Sequence, residues 1–277
     1  MLIADAQVHI WAANTLDHPW PGRQQPHRLE PFSKDDLLSE MNSAEVDRTI
    51  IVPASWAGDR NDLGLEAARL HPNRFAVMGL LDITAPASRG QIATWLLQPG
   101  MLGLRLAFRR GMNRQLLAEG AADWLWSEAE KHNLPIMVII DADQITYIER
   151  IAERHPHLKL ILDHLCLYMG CKDEEAFAGL DKLLSLKNRP NIAVKASCLP
   201  TYTADSYPFR RLHSYVRQVY DAFGPRRIFW GTDLTRLTCS YRQALTMFTE
   251  EIPWLTDDDK QWIMGRGLCE WLGWKMP

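Results

Sequence analysis

At 277 residues, 47% of them hydrophobic and 23% charged, the chain has the material for a sizeable core, and its composition is not that of a disordered segment. A formal net charge of −3 leaves no basic footprint for nucleic acid and no polybasic patch for an anionic membrane. The opening "MLIADAQ" lacks the basic and apolar pattern of an export signal, no apolar run approaches the roughly 18–20 residues of a membrane helix, and the five cysteines form no C-x-x-C pair. A cytoplasmic protein with a small-molecule partner is expected, without nucleic acid, membrane or a disulfide framework; a homo-oligomer is compatible with the sequence.

In chain order, the first element is the strand "LIADAQVHI", in which Asp5, Gln7 and His9 alternate with Ala6, Val8 and Ile10 and so are expected on one face. A Pro- and Trp-rich loop follows at 12–32, a lid candidate if the strand end is a site and a surface excursion otherwise. "SKDDLLSEM" then reads as a helix starting at Ser33, with acidic residues in its first turn. Seven further apolar runs follow: "TIIVPA", "FAVMGLL", "MLGLRLAF", "LPIMVII", "LKLILDH", "NIAVKA" and "RIFWGT". Most are nearly continuous in apolar residues, as strands covered on both faces are. Between them lie helical segments, among them one starting near Asp173. "ARLHPNRF", "RHPHLKL" and "KNRPNI" each place a Pro past a basic helix end and before the next strand. Eight strands alternating with helices predict a single α/β domain over 1–277, a (β/α)₈ TIM barrel, whose usual length is about 250 residues. The rival, a doubly wound sheet, loses weight because no glycine-rich phosphate loop follows any strand.

Polar residues recur at the carboxyl ends of these runs: Gln7 and His9, Ser55, Asp82, Arg105, Asp141, Asp163 and His164, Lys195 and Ser197, and Asp233. In a parallel barrel those ends converge on one face, where active sites are built. The stretches "DAQVHIW", "LILDHLCLYMG", "NIAVKAS", "RIFWGTD" and "GRGLCEWLGW" together resemble the amidohydrolase superfamily, in the branch that holds lactone hydrolases and related decarboxylases. The resemblance implies a distorted barrel whose first strand usually ends in His-x-His, whose fifth sometimes ends in His and whose eighth supplies an Asp. Two positions depart from it: Gln7 replaces the first His, and Ile139 and Ile140 stand where the fifth-strand His is expected. A carboxamide is a poorer zinc donor than imidazole, so a site without metal is preferred; the alternative is zinc or manganese held by His9, His164 and Asp233.

The expected activity is a hydrolase of a small, carboxylated substrate, foremost a lactone. In that reading Asp233 activates water, His9 and His164 polarise the carbonyl or stabilise the oxyanion, and Arg105 holds a carboxylate. Each residue has a plainer alternative: Asp233 as a helix cap, His164 as a structural histidine, and Arg105 in an internal ion pair. Of Asp163 and His164, neighbours in a strand, one is expected to point inward and the other to anchor surrounding structure. Lys195 and Ser197, two apart on the seventh strand, are expected to line the pocket, unless Lys195 neutralises a buried acid. Gln7, Trp11, Trp56 and Tyr168 complete the candidate substrate wall, with Tyr202 and Arg236 in reserve. The competing functions are a metal-dependent amidohydrolase or nonoxidative decarboxylase, and a noncatalytic binding protein.

Overall fold

In the computed structural model, which describes residues 1–20, 28, 30–54 and 60–276, every one of the eight apolar runs is a strand. They are β1 (Ala4–Val8), β2 (Arg48–Ile51), β3 (Phe75–Gly79), β4 (Met101–Ala107), β5 (Ile136–Ile139), β6 (Leu160–Leu162), β7 (Ile192–Ser197) and β8 (Ile228–Gly231). All neighbours are parallel and the order is that of the chain. β8 comes back to β1, where the Asp233 amide donates to the Gln7 carbonyl at 2.9 Å. Gly231 permits that approach, because a Cβ there would stand 3.1 Å from the Ala6 nitrogen. The result is a nearly closed (β/α)₈ barrel.

Two apolar layers account for the continuous hydrophobicity of the strands. The outward residues, such as Ile51, Val77, Leu104, Val138, Leu162 and Val194, are buried with helix residues including Leu37, Ala67, Ile148 and Val216. The inward set, including Ala6, Ile50, Met78, Met137, Ile161 and Phe229, fills the barrel. Its lower end is closed by Leu268, Cys269, Leu272 and Trp274. Each such aliphatic side chain contributes roughly 1.5–3 kcal/mol relative to exposure.

The helix signals act as expected at Ser33, which caps the helix Lys34–Ala44 in a reciprocal capping box with Asp36. Helices also end at Leu70 and Arg154, just ahead of Pro72 and Pro156. The segment from Asp173 differs: it is split into Asp173–Ala176 and Leu180–Leu184. A Cβ on Gly179, in the break, would lie 2.3 Å from that of Ala142, so the chain packs here at a distance only glycine allows. All five cysteines are free. No described helix is long and apolar enough to cross a membrane.

One expectation about β1 is corrected. Its pairing with β2 shifts register between Asp5 and Val8. Such an irregularity breaks the two-residue alternation, and the polar row is divided between two faces. Asp5 meets the Tyr241 hydroxyl and Thr232 at the helix layer. Gln7 and His9 instead face His164 across the barrel mouth.

Candidate active site at the carboxyl ends of the strands

Above the apolar filling lies a polar layer of Gln7, His9, Arg105, Asp163, His164, Lys195, Ser197 and Asp233, all buried. Buried charges persist only when paired, and here the pairs run across the barrel. Lys195 Nζ lies 2.7 Å from Asp163 Oδ1, and Arg105 Nε is 3.2 Å from Asp163 Oδ2. Burial, the largest influence on Asp163, works to raise its pKa, but Lys195 and Arg105 together hold it below the ordinary carboxylate range. Burial likewise lowers the pKa of Lys195, against the pull of Asp163. The internal ion pairs considered for Arg105 and Lys195 are therefore both present.

Asp163 and His164 correct the expectation that strand neighbours diverge. β6 ends at Leu162, and His164, Leu165 and Cys166 take left-handed conformations at φ 50°, 51° and 55°. The tight turn brings both side chains into the buried layer. Cys198 (φ 61°) after β7 and Asp233 (φ 50°) after β8 share this unusual backbone. Non-glycine residues in that region carry strain that surrounding packing must hold, and such strain clusters at functional sites.

Asp233 is 1% exposed and its side chain makes no helix-cap hydrogen bond, which removes the cap as an account of this residue. Its Oδ1 lies 3.2 Å from His9 Nε2; its Oδ2 lies 3.7 Å from His164 Nε2 and 3.2 Å from Arg236 Nη1. Burial pushes its pKa up, yet His9, His164 and Arg236 outweigh burial and hold it well below the usual value. His164 is driven down to about 3, chiefly by burial, and is neutral near pH 7. Its Nδ1 is 2.8 Å from Ser197 Oγ. His9 Nδ1 is 2.7 Å from the Val52 carbonyl, which can only accept, so Nδ1 carries the proton and Nε2 is the atom turned toward Asp233.

Gln7 stands between the two imidazoles, with its Nε2 3.5 Å from His9 Nε2 and 3.3 Å from His164 Nε2. Among the described residues, no group of three or more His, Cys, Asp or Glu side chains is arranged to hold a metal ion. The remaining candidates lie elsewhere. Trp11 is 1% exposed, packs on Phe32 and donates its indole N–H to the Glu30 carbonyl, bracing the base of the long loop rather than presenting an open wall. Tyr168 is half-buried, with its hydroxyl facing Gly179. Asp82 is an exposed turn residue that accepts from Thr84. Ser55, Trp56 and residues 21–27 and 29 of the loop fall outside the described residues.

One residue not anticipated from the chain, Arg109, also gathers here, with the reserve candidate Tyr202. Arg109, beyond β4, binds Asp141 at 2.8 Å and the Leu167 carbonyl at 2.5 Å, while its Nη1 is buried with no hydrogen-bond partner among the described residues. The Tyr202 hydroxyl, after β7, is in the same state, and it feels the charges of Arg236, Arg109 and Asp233. The doublet in "FRRGM" immediately after an apolar strand was the available signal for Arg109. Arg105 commits only Nε to Asp163; its two terminal NH₂ groups make no hydrogen bond among the described residues.

Known proteins share this frame. The L-fucono-1,5-lactonase of Burkholderia ambifaria is 23% identical over 231 residues, covering 83% of this chain and 79% of the relative. A zinc-bound amidohydrolase from Burkholderia multivorans superposes with a TM-score of 0.80 at 20% identity over 99% of each chain. A probable 2-pyrone-4,6-dicarboxylic acid hydrolase from Acinetobacter baumannii, crystallised with citric acid, gives 0.80 at 18% identity over 99% of this chain and all of its own. The family model described as Amidohydrolase matches residues 4–266, from β1 to beyond β8, and the chain belongs to that family.

Proposed function

We propose that this protein hydrolyses a lactone, a small cyclic ester bearing a carboxylate, with Asp233 as the base that activates water. The observation that carries the reading is the ionised, buried Asp233 held among His9, His164 and Arg236 at the mouth of the barrel. Water would give a proton to the carboxylate as its oxygen attacks the lactone carbonyl; the ring C–O bond then breaks and the proton passes to the departing alkoxide. The negative charge that develops on the carbonyl oxygen needs donors, and the Arg236 guanidinium lies beside Asp233 to supply them. His164, neutral and held by Ser197, fits a positioning part better than donation to the oxyanion. The NH₂ groups of Arg105, which make no hydrogen bond among the described residues, and Arg109 Nη1 and the Tyr202 hydroxyl, buried without partners among them, are donors suited to a substrate carboxylate. The names of the relatives, a sugar lactonase and a pyrone-dicarboxylate hydrolase, agree with such a substrate.

The donor set does not fit a catalytic metal as it stands. A zinc ion would need the Nε2 lone pairs of both histidines, and the group facing those atoms is an amide NH₂, which offers no lone pair of use to a metal. No step of the proposed reaction is therefore routed through one. The test is a panel of sugar 1,5-lactones and pyrone carboxylates assayed by acid release, beside hydroxybenzoates assayed for carbon dioxide. Lactone turnover that resists a chelator is expected. Carbon dioxide from the hydroxybenzoates without lactone opening would establish a decarboxylase instead, and thermal shifts without any turnover would establish a binding protein.

A further inference from the structure

Lys195 is fully buried, and three groups face its ammonium: Asp163 Oδ1 as an ion pair at 2.7 Å, and Gln7 Oε1 and Met137 Sδ as hydrogen-bond acceptors at 2.5 and 3.3 Å. An ammonium accepts nothing, so the Gln7 amide must present its oxygen to Lys195. The NH₂ end is thereby forced toward Nε2 of both His9 and His164, an orientation that would otherwise be free to flip. Donation to His164 Nε2 in turn requires the proton of that neutral ring to sit on Nδ1, where Ser197 Oγ receives it at 2.8 Å. One lysine thus determines a glutamine orientation and, through it, a histidine tautomer.

The same groups border His9, His164 and Asp233. Around a zinc ion with bonds of about 2.0–2.2 Å, neighbouring donor atoms stand roughly 3.3–3.5 Å apart. The separations of His9 Nε2 and His164 Nε2 from the Asp233 oxygens are 3.2 and 3.7 Å. Each imidazole thus stands at about donor-to-donor distance from the carboxylate, although the three groups are not arranged to hold an ion, and the amide aimed at both imidazoles has the wrong polarity for one. We infer that Lys195 and Gln7 act as a fixed substitute for a cation, a positioning pair that excludes divalent metal from the space shared by His9, His164 and Asp233 and holds His164 in its Nδ1–H form. This inference deepens the metal-free reading of the site, but it stands or falls independently of which lactone is cleaved.

Gln7→Glu tests it with an almost isosteric change. One carboxylate oxygen keeps the contact with Lys195, and the other replaces the NH₂ group, turning a metal-repelling donor into a third or fourth ligand. Equilibrium dialysis with zinc alone should then give about one ion per chain, bound at least about 100-fold more tightly than by the wild type. Equal zinc affinity in the two proteins would overturn the inference. A measurement on the wild type alone guards against a variant that does not fold: long-range ¹H–¹⁵N NMR should show His164 Nε2 unprotonated and Nδ1 protonated near neutral pH. A proton on Nε2 would refute the lock, whatever the variant does. Because neither readout uses activity, a failed lactone assay leaves this test intact, and a failed metal test leaves the lactone assay intact.

Discussion

Replacing Asp233 by Asn preserves the size of the side chain and removes its basicity. Asn tolerates the left-handed backbone at φ 50° better than most residues, so the turn after β8 should survive. Stability is expected to fall, because Arg236 and His9 lose the anion they face at 3.2 Å. The loss should be nearer about 1–2 kcal/mol, as ~1.5–3 kcal/mol is typical for a hydrogen bond to a charged group, than the roughly 3–5 kcal/mol of a broken buried pair, since Asn still offers one acceptor. A positioned base contributes typically ~10²–10⁴ in rate, and a carboxylate held well below its usual pKa lies toward the weaker end, so kcat should drop by about 10² with KM nearly unchanged. Steady-state assays on purified variant, paired with urea unfolding, separate the two effects. The depressed pKa also fixes the pH dependence: protonation of Asp233 can reduce activity only below the ordinary carboxylate range, so the wild-type rate should not respond to this group between pH 5 and 8, taken as about the span above a carboxylate's titration. A near-wild-type kcat in Asp233→Asn would refute the role. So would an acid limb near pH 6–7, about where a histidine titrates, that disappears with the substitution.

Arg105→Met should raise KM far more for carboxylated than for neutral lactones, measured side by side; because Lys195 still faces Asp163, the stability cost should stay near or below the lower end of the about 3–5 kcal/mol expected for a broken buried pair, and equal losses on both substrate types would defeat the carboxylate role. Asp5 gives a stability signature of opposite sign to Asp233. Burial, partly offset by its hydrogen bonds to Thr232, Gln7 and Tyr241, raises its pKa from 3.8 to about 6, so its contribution is complete below pH 3.8 and is lost as pH rises through about 6. Urea unfolding across that window should show Asp5→Asn free of this loss, which is on the order of 3 kcal/mol for a shift of about two units; identical pH profiles for the two proteins would contradict the shift. Ser197→Ala removes the partner of His164 Nδ1 but leaves the Gln7 NH₂ on Nε2, so long-range ¹H–¹⁵N NMR should still find the Nδ1–H tautomer, whereas a mixed population would show that Gln7 does not fix the ring.

What was legible in the chain follows from which physical rules are local. The eight strands could be read because parallel strands buried on both faces are apolar throughout, and the mouth could be located because polar residues then collect at their carboxyl ends. Gln7, His9, Arg105, Asp163, His164, Lys195, Ser197 and Asp233 do meet in one layer. The direction of individual side chains was less accessible. The irregular register of β1 turned Asp5 away from Gln7, and the left-handed turn after β6 brought Asp163 and His164 to the same side, both of which a two-residue period misreads. Trp11 stands beside a strand end yet packs beneath its loop, since a tryptophan's size favours burial over recognition. Arg109 and the Lys195–Gln7 contact depend on residues far apart in sequence, 188 in the latter case, and spacing along a chain carries no information about such pairs.

The proposed reaction turns on water attacking a lactone carbonyl under the control of Asp233, and a single turnover in H₂¹⁸O examines that step itself. Enzyme in excess over lactone, quenched after one turnover and analysed by mass spectrometry, should yield a hydroxy acid with one ¹⁸O in its new carboxylate and an unlabelled Asp233 peptide. A product with only ¹⁶O in that carboxylate, accompanied by ¹⁸O in Asp233 or in the released hydroxyl, would contradict it.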